Sequence, residues 1–269
     1  NSMLDTIEDH QFKLSEHSEH LEGIVALRTE QLYERANFDA LTQLPNRHSL
    51  TDKIAQAIER AKDKNSNLAL MFLDLDRFKV INDSLGHFMG DKLLIEVAKK
   101  IQQRIKDGDV VGRWGGDEFV ILIENPQDIS SVDALAKDII AALSLPLIVA
   151  GHQLHISTSI GIACFPKDGD DASSLLKHAD TSMYKAKEIG LGQFRFFEQA
   201  MLNDSVRRLT LETQLREAAA QQQFQLVYQP KINILDESLV GLETLIRWKN
   251  GQVHINIQPD HLITLMPIT

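Results

Sequence analysis

The sequence predicts an α/β fold, one sheet with helices on its faces, and three observations carry that reading. Short apolar, β-branched runs alternate along the chain with stretches whose apolar residues recur every three to four positions. One of these runs is apolar throughout and stops abruptly on carboxylates, as a strand buried on both faces does when it ends at a site. With 269 residues, 43% of them hydrophobic and 25% charged, the chain is long enough for a full core and about half a domain more.

Taken in order, residues 4 to 36 are polar, helix-prone and free of proline, with Leu14, Leu21, Val25 and Leu32 at heptad-like spacing and Ser18 and Arg28 interrupting the seam. A solvated amphipathic helix and a parallel coiled coil both satisfy this pattern. Leu50, Ile54, Ile58 and Ala61 mark one buried helical face, and Leu93, Leu94, Val97, Ile101 and Ile105 a second. Val132, Leu135, Ile139 and Leu143 mark a third, and Leu175, Ala179, Met183 and Ala186 a fourth. Strands are expected at 68 to 74, 109 to 114, 118 to 124 and 154 to 164. A polar helix follows over 199 to 223, then two alternating strands, Phe224 to Pro230 and Leu239 to Trp248.

The formal charge of −10, from 38 acidic and 28 basic residues, argues against nucleic acid as a partner, since phosphate backbones select basic surfaces. The longest apolar stretch, Ile139 to Gly151, is interrupted by Ser144 and Pro146 and falls short of the ~20 residues of a membrane span. No signal-peptide pattern opens the chain, and Asn1-Ser2 ahead of Met3 reads as a cloning remnant. The single cysteine, Cys164, sits in a strand-like run and is expected to be a small buried hydrophobe, in keeping with a reducing, cytoplasmic setting.

Two segments carry chemistry. In Arg113-Trp114-Gly115-Gly116-Asp117-Glu118-Phe119, two glycines supply the freedom of a hairpin connection and two carboxylates sit at its tip. The pattern suits a metal and phosphate site, and it also suits an ordinary surface hairpin. Upstream, Leu68 to Leu73 ends in Asp74-Leu75-Asp76, and buried carboxylates are costly unless a cation or donors satisfy them. Next come Arg77, Phe78, Lys79, Asn82, Asp83, Gly86, His87, Gly90 and Asp91. That stretch offers a lysine for phosphate, amide and carboxylate groups for a base edge, and glycines that admit close backbone approach.

Together these segments resemble the GGDEF domain of diguanylate cyclases. The signature Gly115-Gly116-Asp117-Glu118-Phe119 is intact, and Asp74-x-Asp76-x-Phe78-Lys79-x-x-Asn82-Asp83-x-x-Gly86-His87-x-x-Gly90-Asp91 stands at the expected distance before it. The likeness runs from Asp39-Ala40-Leu41-Thr42-Gln43-Leu44-Pro45-Asn46-Arg47 to Phe194-Arg195-Phe196-Phe197. It implies a palm-like nucleotidyl-cyclase fold over 37 to 198, a central mixed or antiparallel sheet flanked by helices. The N-terminal segment, 1 to 36, is then a signalling helix, and 199 to 223 a linker helix.

The activity implied is the joining of two GTP molecules into cyclic di-GMP and two pyrophosphates, with Mg2+ as cofactor and Mn2+ as a substitute. By resemblance Asp74, Asp117 and Glu118 hold the metal with the Leu75 carbonyl, and Asp117, Glu118 and Lys79 are catalytic. Phe78, Asn82, Asp91 and Lys187 bind substrate, Asn82 and Asp91 at the guanine. A carboxylate accepts from the N1 and N2 hydrogens of guanine but would face a bare acceptor in adenine. His87 reads as a packed or hydrogen-bonded structural histidine, and Asp76, Asp83 and Arg113 as local structural partners. The resemblance further implies a homodimer through the N-terminal helix with active sites facing, binding of cyclic di-GMP, and upstream sensor or membrane segments in the native protein.

Two positions depart from the family's pattern. Lys106-Asp107-Gly108-Asp109 stands where an Arg-x-x-Asp motif binds product, and lysine lacks the planar fork of arginine. After Ala186-Lys187, Leu191 replaces a phosphate-contacting arginine. Residues 224 to 269 resemble the opening of an EAL phosphodiesterase domain through Tyr228-Gln229-Pro230 and Glu243-x-Leu245-x-Arg247, with Thr244 in place of the namesake alanine. A (β/α)8 barrel needs roughly 200 residues or more, so this stretch is expected to be only its start. The alternative to a working cyclase is a GTP-sensing module that controls an attached phosphodiesterase.

Overall fold

The computed structural model describes residues 20–25, 27–235, 237–250 and 253–256. The chain divides into two compact units, residues 1–198 and residues 199–269. The first unit opens on helix α1, described over 20–25 and 27–37, on which Leu21, Val25 and Leu32 are all exposed. Leu14 and Ser18 of the heptad pattern lie outside the described residues.

Helix α2 (Arg47–Lys64) starts where the Asn46 side chain accepts from the Ser49 amide, and stops at Asn65, which takes a left-handed turn (φ 49°). The apolar residues at helical spacing, Leu50, Ile54, Ile58 and Ala61, are all buried. Strand β1 (Leu68–Asp76) leads into two short-linked helices, α3 (Phe78–Leu85) and α4 (His87–Gln102). The hairpin β2 (Val110–Gly115) and β3 (Glu118–Glu124) follows, then α5 (Ile129–Ser144). A small hairpin, β4 (Leu147–Val149) with β5 (His152–Leu154), precedes β6 (Ser157–Phe165), α6 (Ala172–Ile189) and β7 (Phe194–Phe196).

The main sheet has the order β2-β3-β1-β6-β7, so the apolar strand β1 lies at its centre. It pairs antiparallel with β3 and β6, while β6 and β7 are parallel, giving the mixed sheet of the palm-like class. Period two divides the strand residues between faces. Met71, Leu73, Phe119 and Ile121 join Leu93, Val97, Val132 and Ile139 of α4 and α5 in one core layer. Helices α2 and α6 cover the other face. There α6 comes so close to β6 that a Cβ on Gly161 would lie 1.9 Å from the Ala179 carbonyl oxygen.

Three elements differ from the sequence reading, among them the strand expected at 154 to 164, which begins only at Ser157 because Leu154 closes β5. Strand β1 runs through Asp76 rather than ending at 74, because serines of β6 satisfy the buried Asp76 carboxylate. The apolar stretch 139 to 151 is not one segment: α5 ends before Pro146, and Ala150-Gly151, both at positive φ, turn β4 back into β5.

The second unit holds α7 (Gln199–Ala220) and an antiparallel sheet in the order β10-β9-β8, from β8 (Phe224–Ile232), β9 (Leu239–Asn250) and β10 (Val253–Asn256). Its small core is Leu215, Ala218 and Trp248 against Phe224, and the Trp248 indole donates to Gln223 at 3.1 Å. Among the described residues no helix is long and apolar enough to cross a membrane.

Candidate functional site

The end of β1 and the start of β3 bring the first carboxylates together. Asp74 and Glu118 are directly opposed in the antiparallel register, which places their side chains on one face as cross-strand neighbours. That is the face covered by α6, and Lys187 of α6 reaches Asp74, Nζ to Oδ1 at 2.6 Å. Burial pushes the Asp74 carboxyl up; the Lys187 ammonium draws it back in part, and the charges of Asp117 and Asp76 add to the rise. Glu118 is also raised, first by burial and then by the charges of Asp74, Asp180 and Asp117. The pair therefore sits in a field of its own sign with one ammonium as countercharge.

Asp117 holds the hairpin tip. Its carbonyl accepts from the Leu75 amide at 3.3 Å, joining the tip to the strand end. The Leu75 side chain is buried, so only its backbone faces the site. The Asp74 carbonyl accepts from Thr158 Oγ1 at 2.9 Å. Gly116 takes φ +51°, a conformation that favours glycine, and Arg113 ties the turn down. Its guanidinium donates to the Gly116 carbonyl at 3.0 and 2.7 Å and to both Asp39 oxygens at 3.1 Å. Asp39 in turn accepts from the Thr42 amide and hydroxyl. The opening 39 to 47 turn is thus latched to the tip that presents the acids.

The second half of the site lies on α3 and α4. Phe78 is buried, and Asn82 packs against Gly90 so tightly that a Cβ there would stand 2.0 Å from Asn82 Oδ1. That oxygen is buried and has no hydrogen-bond partner. Asp91, next to Gly90, is exposed, as is Lys79 in the first turn of α3. The structure brings Asp74, Asp117, Glu118 and Lys187 to one end of the sheet, while Asn82 packs against Gly90 and Asp91 follows it, exposed, in α4.

Several readings need adjustment. His87 is exposed at the start of α4 rather than packed, because that turn faces solvent. Cys164 is half-buried rather than fully so, and burial lifts its thiol to about 11, which makes it an inert hydrophobe. Asp109 spends its carboxylate on the Lys106 and Glu124 amides, which leaves it a loop-fixing role. Asp76, 4% exposed, accepts from Ser157 at 2.5 Å, Ser159 at 2.7 Å and the Gly192 amide at 2.9 Å. It clamps the end of β1 to the turn that follows Lys187. Asp180 escaped sequence reasoning, although it precedes Lys187 by seven residues, two turns along the same helix face.

Among the described residues no group of three or more His, Cys, Asp or Glu is arranged as a metal cage. The donor set nonetheless fits a hard cation of the Mg2+ kind. Such an ion is held by one or two carboxylates together with substrate phosphates rather than by an all-protein shell, and Asp74 and Glu118 are an opposed carboxylate pair short of positive charge.

Comparison with known proteins decides the family, since the model for "Diguanylate cyclase, GGDEF domain" matches residues 36–193. The chain belongs to the GGDEF family. This GGDEF chain is 40% identical over 243 residues to the bifunctional diguanylate cyclase/cyclic di-GMP phosphodiesterase MucR of Pseudomonas aeruginosa, covering 90% of this chain and 35% of that protein. It is 40% identical over 223 residues to the cyclic di-GMP phosphodiesterase PdeR of Escherichia coli, covering 83% and 33%. Among solved structures, the GGDEF domain of TpbB from Pseudomonas aeruginosa is 36% identical with a TM-score of 0.60, covering 62% of this chain and 97% of that one. The GGDEF chain thus spans about a third of the length of these two curated relatives.

Proposed function

We propose that this GGDEF chain is a diguanylate cyclase that condenses two GTP molecules into cyclic di-GMP, each of two chains holding one GTP. The observation that carries the reading is the opposed Asp74 and Glu118 pair with Lys187 at 2.6 Å from Asp74, at the tip where Gly115 to Phe119 turn. Asp74, Glu118 and Asp117, with the Leu75 carbonyl, would hold Mg2+, or Mn2+ in its place. When bound, the ion would neutralise charge on the phosphate oxygens during displacement of pyrophosphate.

The chain's own groups do the rest. Lys79 meets the triphosphate from α3, and Lys187 divides its charge between Asp74 and phosphate. Asp117 or Glu118 accepts the proton of the attacking 3′-hydroxyl. Phe78 supports the base site from below. Asn82, whose side-chain amide is held against Gly90, and Asp91, the exposed residue that follows Gly90 in α4, take the guanine N–H donors. Residues 224 to 269 are the start of an EAL domain, with 37 to 198 as the cyclase domain and 199 to 223 as the link. The whole protein works in cyclic di-GMP signalling on the cytoplasmic side.

A second reading, a GTP-binding module that regulates an attached phosphodiesterase, is favoured by Leu191, 45% exposed on the turn after Lys187 where no side chain can grip phosphate, and by the name of PdeR. One experiment separates the two: incubate the protein with GTP and Mg2+ and separate the products by chromatography. Cyclic di-GMP formation supports the cyclase, whereas GTP binding with no product supports the sensor.

A further inference from the structure

Between α2 and α6 lies a cleft of about 440 Å3 that the proposed reaction touches only through Glu118. Its floor is aromatic: Phe72 and Trp114 meet edge to face with ring centres 6.0 Å apart. The Arg47 guanidinium lies over the Trp114 ring, 4.6 Å from its centre. Helix α6 lines the opposite wall with Lys177 and, one turn later, Asp180, and Glu118 closes the end beside the site.

We propose that this cleft binds a second guanine nucleotide, distinct from the one read by Asn82 and Asp91. A planar ligand is called for by the floor, since the guanidinium that lies on the indole presents its own outer plane for a base to stack on. Guanine is the base that fits the wall. Its N1–H and N2–H2 form two parallel donors that a carboxylate such as Asp180 accepts together, while adenine turns an acceptor toward the same oxygens. Lys177, one turn from Asp180, and the outer N–H groups of Arg47 supply positive charge for a single phosphate. The volume sits in the lower part of the roughly 300 to 1,000 Å3 range of small-molecule pockets, the size of one nucleotide rather than two. Because Glu118 belongs to both the cleft and the metal-holding pair, occupancy would hinder turnover. Only that last consequence rests on the cyclase reading; binding itself does not.

The test is a titration of the full chain carrying Trp248→Phe, so that Trp114 is its one tryptophan, with guanosine 5′-monophosphate in metal-free buffer. Tryptophan fluorescence should change saturably, and adenosine 5′-monophosphate should bind at least about tenfold more weakly. Lys177→Ala and Asp180→Asn, both at exposed positions, should each weaken the guanosine monophosphate response about tenfold, while Asn82→Ala leaves it unchanged. The proposal is overturned by no saturable response up to millimolar ligand or by equal affinity for the two nucleotides. A response lost in Asn82→Ala but kept in Asp180→Asn would also overturn it, since that locates the only nucleotide at the first site. Cyclase activity is not read at any point, so failure here and failure of the cyclase reading are separate results.

Discussion

At the scale of single residues, side chains at this site divide into those that would touch substrate and those that hold the others in place. Asp117 belongs to the first kind. Its side chain is only partly buried at a hairpin tip, so Asp117→Ala should abolish cyclic di-GMP synthesis while shifting the melting temperature by only a few degrees. Near-normal product by chromatography would refute its assignment. Asp39 belongs to the second kind, and its contribution depends on pH. Burial pushes its carboxyl up, but the Thr42 amide and hydroxyl and the Arg113 guanidinium outweigh burial and hold it below the ordinary 3.8. A carboxylate depressed in the folded state adds stability that is present above its unfolded pKa and lost as pH falls through the folded value. Asp39→Asn should therefore cost on the order of 1 to 2 kcal/mol at neutral pH and little once the folded-state carboxyl is protonated, so the two unfolding curves converge in acid. Parallel curves down to pH 2 would mean that the Arg113 latch carries no charge-dependent stability.

At the scale of elements, the meeting of α6 with the sheet decides where Lys187 stands. Gly161 makes that meeting possible: an alanine there would put its Cβ 1.9 Å from the Ala179 carbonyl oxygen and 2.2 Å from the Met183 amide nitrogen, backbone atoms that cannot rotate away. Gly161→Ala should destabilise the first unit by about 3 kcal/mol or more in denaturant unfolding, and weaken GTP binding because Lys187 rides on the displaced helix. Unchanged stability would show that α6 can slide freely. This element scale is where the sequence was most legible. The continuous apolar run of β1 and the three-to-four spacing of α2, α4, α5 and α6 each fixed one element's type, because burial on a given face is a local, periodic property. What the pattern hid depends on partners far along the chain. Asp39 and Arg113 stand 74 residues apart, and Asp76 meets serines 81 and 83 residues away, so neither clamp leaves a local trace. The β4 and β5 hairpin was hidden for another reason: three-residue strands are too short to display a period. Asp180 shares a helix face with Lys187, but spacing alone could not reveal that this face looks onto Glu118.

At the scale of the whole molecule, the proposed reaction calls for two chains. On the proposed reading one site offers one opposed carboxylate pair and one guanine-reading pair, enough to orient a single GTP, and the hydroxyl that attacks it would come from another. Synthesis per chain should consequently fall as the protein is diluted below the dissociation constant of its dimer. The described part of α1 supplies a reason to associate, since Leu21, Val25 and Leu32 are all more than half exposed along it, an apolar stripe that a second helix could cover. Removing residues 1 to 36 should weaken self-association in sedimentation and steepen the dilution dependence, whereas ending the chain at residue 198 should leave both nearly unchanged, because the first unit holds every residue assigned to the reaction. Arg28 among the stripe limits the effect of the first truncation to a modest one, of about tenfold in the dimer constant. Specific activity that is independent of concentration in both truncated proteins would remove the two-chain requirement, and with it the role given to α1.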